Sequence, residues 1–196
     1  MTFARIAIFA SGHGSNLQTF IDITKARKDF PAEIALVVSD KPSCYAVQRA
    51  RHAQVPVFAA SPKEYPDKAA FESAVLEALR DARVEWIVLA GYMRIVGMTL
   101  LDAYPGRILN IHPSLLPAFP GKQAVKDALL AGSAETGVTV HLVDEGIDTG
   151  PILAQERIAI APGESEESLL ARVHEVEHRL YPRVVEQIVL RHRQAQ

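Results

Sequence analysis

Asn110 and His112 carry the clearest chemistry in this chain of 196 residues. They end a short apolar run just before Pro113, so they mark the carboxyl end of a predicted strand. Side chains two apart in a strand share a face, and open α/β sheets place their sites at such ends. An amide beside an imidazole suits carbonyl chemistry, because one group polarises the oxygen while the other moves a proton. The alternative is a histidine that is only hydrogen-bonded at a strand terminus.

An acidic turn offers a partner for His112. Asp144, Glu145 and Asp148 all lie in residues 144–150, between two β-rich runs. A carboxylate beside His112 would orient the ring and favour its protonated form, as the aspartate of a catalytic triad does. A solvated acidic loop explains the same residues, because spacing alone does not show that these groups meet.

A glycine-rich turn, residues 12–16, lies between the first predicted strand and the first predicted helix. Backbone N–H groups at a helix N-terminus bind anions, and glycines allow a phosphate to approach closely. Ser15 and Gln18 have capping-box spacing, which favours a helix start here. The dinucleotide-binding fingerprint is incomplete, because Leu17 replaces its third glycine, and the Walker A pattern is absent. The turn is therefore a candidate phosphate site, with a plain tight turn as the alternative.

A second histidine motif is a candidate metal site. The run from His174 to His178 reads HEVEH, which matches two short zinc-protease signatures. However, no third ligand is marked, and the segment belongs to a charged amphipathic helix. We therefore expect solvated residues here and no metal.

An α/β fold is needed to position these side chains. Apolar runs alternate with helical stripes, which predicts a mostly parallel sheet with helices on both faces. The last two runs flank the acidic turn and are expected to pair antiparallel, before a long C-terminal helix from Ser165 that Pro182 should bend or break. Residues 113–121 are proline-rich and should form an ordered loop. The predicted strands are residues 5–10, 34–38, 55–58, 86–90, 107–111, 137–143 and 152–160.

Composition limits the class of protein. Hydrophobic residues make up 48% of the chain and charged residues 22%, as a globular core requires, and the length predicts one domain, residues 1–196. A net charge of −2 argues against a dedicated nucleic-acid binder. Cys44 is the one cysteine, which excludes an intrachain disulfide and a Cys-rich zinc site. No stretch approaches the ~20 apolar residues of a membrane span, and no signal peptide is evident, so we expect a cytoplasmic protein without a membrane partner.

Four segments occur together in this order: SGHGSNL (11–17), LAGYMRI (89–95), NIHPSLLP (110–117) and DEGIDTGP (144–151). Together they resemble the phosphoribosylglycinamide formyltransferases, folate-dependent enzymes of de novo purine biosynthesis, and the likeness spans about residues 5–182. The resemblance implies a Rossmann-like α/β fold of the formyltransferase type. It also implies transfer of the formyl group of 10-formyltetrahydrofolate to the amine of glycinamide ribonucleotide, giving formylglycinamide ribonucleotide, with no metal and no covalent enzyme intermediate.

The resemblance also assigns roles to residues. Those matching the catalytic trio are Asn110, His112 and Asp148. The residues that match the ribonucleotide phosphate site, at the start of the first helix, are Gly14, Ser15 and Asn16. Glu177 matches the acid that contacts the ribose hydroxyls. Those matching the folate site are Lys68, Met93, Arg94, Ile95, Val96 and Asn110.

Alternatives differ in the acceptor or in the class of protein. A formyltetrahydrofolate deformylase would use a similar core with water as acceptor, and a methionyl-tRNA formyltransferase would act on charged tRNA. Either resemblance would call for an additional domain, so the length is expected to disfavour both. A nicotinamide oxidoreductase is disfavoured because this chain lacks the complete glycine fingerprint of that class, and a non-catalytic nucleotide-binding module leaves the trio unexplained.

The chain departs from the family pattern at residues 122–125, KQAV, where some relatives carry histidines. Monomer and homodimer both remain open.

Overall fold

Seven strands form one sheet in the computed structural model, which describes residues 3–195. The strands are β1 (Ala4–Phe9), β2 (Ala32–Ser39), β3 (Val57–Ala59), β4 (Trp86–Leu89), β5 (Ile108–His112), β6 (Glu135–Leu142) and β7 (Ile152–Ala159). The helices are α1 (Ser15–Ala26), α2 (Tyr45–His52), α3 (Lys68–Asp81), α4 (Met98–Ala103), α5 (Ala124–Leu130) and α6 (Glu166–Gln194), with a short 3₁₀ turn at Pro62–Glu64.

The order of strands across the sheet is β3-β2-β1-β4-β5-β6-β7. Strands β1 to β5 pair in parallel, whereas β6 pairs antiparallel with both β5 and β7. The predicted mostly parallel sheet, antiparallel C-terminal pair and long final helix are therefore confirmed. The chain moves outward in one direction from β1 and crosses back to β4, so the loops after these two strands diverge and open a crevice.

Alternation along the strands divides the core into two layers. In β1, Ile6 and Ile8 face the layer under α1, α2, α5 and α6, while Ala7 and Phe9 face the layer under α3 and α4. Apolar side chains on both faces explain why the central strands read as continuous apolar runs. The two layers hold the carboxyl ends of the parallel strands at one edge of the sheet.

The ends of two helices differ from expectation. Gly14, with a left-handed φ of 78°, is the N-cap of α1, and no side chain caps this helix, so the expected capping box at Ser15 is wrong. In α6, Ser165 Oγ accepts the Ser168 N–H, but Pro182 lies inside the helix without ending it. Proline costs about 3 kcal/mol in a helix interior. The side chains around Pro182 are buried in the core, and this packing offsets that cost.

Helix α4 is an element that the sequence pattern did not predict. It has six residues, too few for an apolar period to become clear, and only Leu100 is buried. Within residues 3–195, no helix combines the length and the apolar composition needed to cross a membrane.

Candidate active site

A cavity of about 880 Å³ opens at the carboxyl edge of the parallel strands. It lies in the crevice between the loops that follow β1 and β4. Among the site residues suggested by resemblance, Lys68 is outside the cavity lining. The structure brings the others together around this cavity: Gly14, Ser15, Asn16, Met93, Arg94, Ile95, Val96, Asn110, His112, Asp148 and Glu177.

His112 is buried and has an acceptor at each ring nitrogen. Its Nδ1 lies 3.4 Å from Oδ2 of Asp148, and its Nε2 lies 2.8 Å from the carbonyl oxygen of Phe119. A carbonyl oxygen only accepts, so Nε2 carries a hydrogen. A carboxylate facing Nδ1 accepts a hydrogen there too, and the ring can donate from both nitrogens at once only as an imidazolium. This geometry suits a positive charge at the wall of the cavity.

Asp148 is held in place by its own backbone and by the proline-rich loop. Its φ of 55° lies in the left-handed region, which aspartate tolerates better than most side chains. Its Oδ2 also accepts the Gly121 N–H at 3.0 Å. The loop between β6 and β7 thus returns towards β5 and places this carboxylate beside His112.

A neighbouring acid of the same turn has a different task. Asp144 accepts hydrogen bonds from the Thr149 hydroxyl at 2.7 Å and from the Gly146 N–H at 2.9 Å. These bonds, with the Thr149 hydroxyl as the main cause, lower the pKa of Asp144. Asp144 therefore stabilises the turn, whereas Asp148 reaches His112.

His141 is a site residue that sequence reasoning missed. It lies opposite Asn110 in the register of β5 and β6, and its Nε2 is 3.3 Å from Asn110 Nδ2. Its Nδ1 faces the Leu142 carbonyl oxygen at 2.8 Å and so carries the hydrogen, and Nε2 faces the amide as its acceptor. The same Nε2 lies 3.8 Å from Asp148 Oδ1. His141 thereby orients the Asn110 amide; the available signal was a histidine near the end of the predicted strand 137–143.

The glycine-rich turn forms the N-terminal end of α1. A Cβ at Gly14 would lie 2.8 Å from the Cβ of Ala46 on α2, so the close approach of the two helices requires glycine at this position. Arg49 of α2 also braces the turn, since its Nε donates to the His13 carbonyl oxygen at 2.9 Å. The first N–H groups of α1 have no partner inside the helix, and the residues at this helix start, Ser15 and Asn16, line the cavity. This arrangement suits an anion such as a phosphate.

Asn16 and Glu177 meet at the same end of the cavity. Both are buried, and Asn16 Nδ2 donates to Glu177 Oε2 at 3.2 Å. Burial raises the pKa of Glu177 to about 7, although the hydrogen bond from Asn16 opposes this rise. Within residues 3–195, Asn16 Oδ1 has no hydrogen-bond partner. A buried unpaired acceptor on a cavity wall favours a ligand that donates a hydrogen bond there.

The HEVEH motif lies on α6 beside this end of the cavity. The rings of His174 and His178 stack 6.2 Å apart, and Glu177 between them turns to Asn16. Burial lowers the pKa of both histidines, and the nearby His13 contributes to the effect at His174. No group of three His, Cys, Asp or Glu side chains in residues 3–195 is arranged to hold a metal ion.

Segment 93–96 forms an apolar rim at the opposite side of the cavity. Met93 and Ile95 are about half exposed, while Val96 is buried. The Arg94 guanidinium lies 5.7 Å from the centre of the Phe71 ring. Exposed apolar side chains at the rim of a cavity suit a flat heteroaromatic ligand.

Two further regions flank this rim and the catalytic loop. Lys68 is exposed at the start of α3, and its aliphatic stem lies beside Gly97, just past segment 93–96. In residues 122–125, Lys122 lines the cavity, whereas Ala124 and Val125 begin α5 and are buried. Of these four residues, Ala124 and Val125 therefore serve the packing of α5, whereas Lys122 and Gln123 are exposed.

Comparison with known proteins agrees with this architecture. Residues 4–185 match the family described as Formyl transferase. The chain is 50% identical over 185 residues to the phosphoribosylglycinamide formyltransferase of Bacillus subtilis (strain 168), covering 94% of each chain. It is 45% identical over 182 residues to the trifunctional purine biosynthetic protein adenosine-3 of Drosophila pseudoobscura pseudoobscura, covering 92% of this chain and 13% of that protein.

A solved structure extends the agreement to three dimensions. The glycinamide ribonucleotide transformylase 1 of Geobacillus kaustophilus superposes with a TM-score of 0.92 at 55% identity, covering 95% of this chain and 99% of that one. The formyltransferase-type fold is therefore confirmed. The chain belongs to the phosphoribosylglycinamide formyltransferase family.

Proposed function

We propose that the protein transfers the formyl group of 10-formyltetrahydrofolate to the amine of glycinamide ribonucleotide, giving formylglycinamide ribonucleotide in purine biosynthesis. The observation that carries this proposal is the meeting of Asn110, His112 and Asp148 on one cavity wall. That wall lies between an anion-binding turn and an apolar rim, so two different substrates can meet at one reacting centre. The names of the B. subtilis and G. kaustophilus relatives support the same activity.

The reaction is an acyl transfer between two amines. The glycinamide nitrogen attacks the formyl carbon, and the carbonyl electron pair moves onto the oxygen. The Asn110 amide and the positive charge of His112 stabilise this oxyanion. The attacking nitrogen then loses a proton, N10 of the folate gains one, and the bond between N10 and the formyl carbon breaks. Formyl group and proton exchange places, so the transfer needs neither a metal nor a covalent enzyme intermediate.

The geometry of His112 favours an electrostatic role in this scheme. Its Nε2 hydrogen is directed at the Phe119 carbonyl oxygen, and its Nδ1 faces Asp148. The ring therefore contributes mainly its charge, and we propose that water relays the proton between the two nitrogens. Asp148 is needed because a buried imidazolium without a counterion would lose its proton.

Each end of the cavity would take one substrate. Gly14, Ser15 and Asn16 would hold the ribonucleotide phosphate, and Glu177 would accept hydrogen bonds from the ribose hydroxyls. The folate would lie on the apolar rim and against Asn110. The rim residues are Met93, Arg94, Ile95 and Val96, with Lys68 near the acidic tail of the folate.

The proposal also covers the organisation of the protein. One continuous sheet with α6 packed on α1 and α5 supports a single catalytic domain over residues 1–196. The net charge of −2 argues against a nucleic-acid partner, and the one cysteine suits the reducing cytoplasm. The proposed enzyme is cytoplasmic, acts on small molecules without nucleic acid or a membrane, and is a monomer or homodimer.

A two-substrate assay tests this function. Purified protein, incubated with glycinamide ribonucleotide and 10-formyltetrahydrofolate, should give formylglycinamide ribonucleotide by mass spectrometry, together with one tetrahydrofolate per product. A zinc chelator should leave the rate unchanged. Omitting the ribonucleotide tests for hydrolysis. Equal folate consumption without the ribonucleotide would identify a deformylase, and absence of product would overturn the proposal.

Asn16→Ala should weaken ribonucleotide binding about tenfold, because a buried hydrogen-bonding group is lost at the anion end of the cavity. Isothermal titration calorimetry with glycinamide ribonucleotide measures the affinity. Asp22→Asn, at an exposed position on the same helix, is the matched control and should bind normally. Unchanged affinity in Asn16→Ala would remove this residue from the site.

A further inference from the structure

Two buried carboxylates, Asp40 and Glu72, have no part in the proposed chemistry. Their exposed fractions are 8% and 5%. Neither was singled out by sequence pattern, and they lie on opposite sides of the loop that follows β4. Each of them holds one end of segment 93–97: Asp40 acts indirectly through the Ser11 side chain, and Glu72 accepts a hydrogen bond from the segment directly.

The anchor at the start of the segment is a chain of two hydrogen bonds. Ser11 Oγ donates to Asp40 Oδ1 at 2.5 Å and accepts the Met93 N–H at 2.8 Å. A carboxylate only accepts, so Asp40 fixes the direction of the Ser11 hydroxyl hydrogen and turns its lone pairs towards Met93. The Ser11 N–H also donates to the Gly91 carbonyl oxygen at 3.0 Å. The end of β1 is thereby joined to the loop after β4.

The anchor at the end of the segment is Glu72 of α3. Its Oε1 accepts the Gly97 N–H at 2.7 Å. A Cβ at Gly97 would lie 2.7 Å from Glu72 Oε2 and 3.1 Å from Lys68 Cε, so the absence of a side chain leaves room for the carboxylate. The φ of Gly97 is −96°, which alanine also adopts. The glycine is required here by the close approach of Glu72 and not by its backbone conformation.

We propose that Asp40, through Ser11, and Glu72 are positioning residues that hold segment 93–97 ready for the folate co-substrate. The hydrogen bonds of the Met93 and Gly97 N–H groups fix both ends of the segment. The backbone between these ends therefore loses little conformational entropy when a ligand binds. Burial strengthens both bonds, because water does not compete for the carboxylates. The inference rests on the proposed function, which places the folate on this segment.

Binding of each substrate measured separately tests the anchor at Gly97. Glu72→Ala should raise the Kd for tetrahydrofolate about tenfold, as expected for loss of a bond to a charged acceptor, and leave the Kd for glycinamide ribonucleotide unchanged. Glu72→Gln keeps an acceptor and should restore folate binding. Gly97→Ala should reproduce the effect of Glu72→Ala without removing a charge, since its Cβ would displace the carboxylate.

The anchor at Met93 has a parallel pair of variants. Asp40→Ala should also weaken tetrahydrofolate binding, while Asp40→Asn keeps an acceptor for the Ser11 hydroxyl and should bind nearly normally. Glu77→Ala, which removes an exposed acid from the same helix as Glu72, is the control and should bind both ligands normally. Thermal unfolding of every variant confirms that the protein is folded during the titrations.

Three outcomes decide between the explanations. A selective loss of folate affinity, with rescue by the amide variants, supports the positioning role. Normal folate affinity in Glu72→Ala and Gly97→Ala, or equal loss for both ligands with a lower Tm, overturns it while the proposed function stands. Failure of the unaltered protein to bind tetrahydrofolate overturns the proposed function itself.

Discussion

Asp148→Asn should lower kcat by about 10²- to 10³-fold while leaving the fold intact. The substitution removes the negative charge 3.4 Å from His112 Nδ1, so a positive charge on the ring loses its counterion. The oxyanion then forms without this stabilised charge beside it. Asparagine adopts the left-handed φ of this position readily and can still accept the Gly121 N–H. Steady-state formyl transfer with both substrates saturating measures the effect.

A second acid in the same turn provides the control for this prediction. Glu145 is exposed, and Glu145→Gln makes the same change of charge a few residues away. Its kcat should stay within about twofold of the unaltered enzyme, because exposed charges are screened by water. Near-normal turnover in Asp148→Asn would show that the carboxylate does not support catalysis through His112.

Glu177→Gln should stabilise the protein against unfolding by about 2 kcal/mol at pH 8. The pKa of this carboxyl is 4.5 in the unfolded chain and about 7 in the folded protein, so its ionisation lowers the free energy of unfolding. The full difference corresponds to an upper limit of about 3 kcal/mol. Glutamine avoids this ionisation, and its amide can donate to the unpaired Oδ1 of Asn16. Urea unfolding at several pH values measures the free energy of unfolding.

The pH dependence gives this prediction its sign. A raised folded-state pKa means that the folded protein holds the proton more tightly, so the stability from Glu177 is fully present below pH 4.5. It is lost as the pH rises through about 7. The two proteins should therefore differ little at pH 5 and most at pH 8. Glu175→Gln, at an exposed position on the same helix, should show no such divergence; a gap independent of pH would contradict the role of burial.

The same substitution bears on the proposed ribonucleotide site. A buried acid that lowers the stability of the protein is best explained by a ligand that it binds. Without such a role, an apolar or amide side chain at this position would give a more stable protein. We expect Glu177→Gln to bind glycinamide ribonucleotide more weakly despite its higher stability. Stability and affinity would then change in opposite directions at one residue.

Local pattern was sufficient for most of the elements of the fold. The apolar runs that form β1, β4 and β5, and the positions where these strands end, can be identified from neighbouring residues in the chain. Helix α5, Ala124–Leu130, likewise carries a short local apolar stripe of Ala124, Val125 and Ala128. Helix α4 and the continuity of α6 through Pro182 were not predictable in this way, because packing against the sheet outweighs weak local signals.

The candidate site divides in the same manner. Asn110 and His112 could be placed at a strand end from their spacing alone, and the glycine-rich turn could be predicted to be a candidate anion site. By pattern alone, however, Asp144, Glu145 and Asp148 were equivalent. The structure distinguishes them, because the turn pairs Asp144 with the exposed Thr149 hydroxyl and directs Asp148 towards His112.

The sequence by itself determined the alternating α/β architecture, the strand ends that carry reactive residues, and the family resemblance of its four motifs. Only the tertiary structure decided which distant side chains meet. His141 pairs with Asn110 through the register of two antiparallel strands, and Glu177 reaches Asn16 across 161 positions of the chain. Such contacts depend on the order of strands and the packing of helices across the whole core. Local periodicity carries no information about them, because it is set by each element alone.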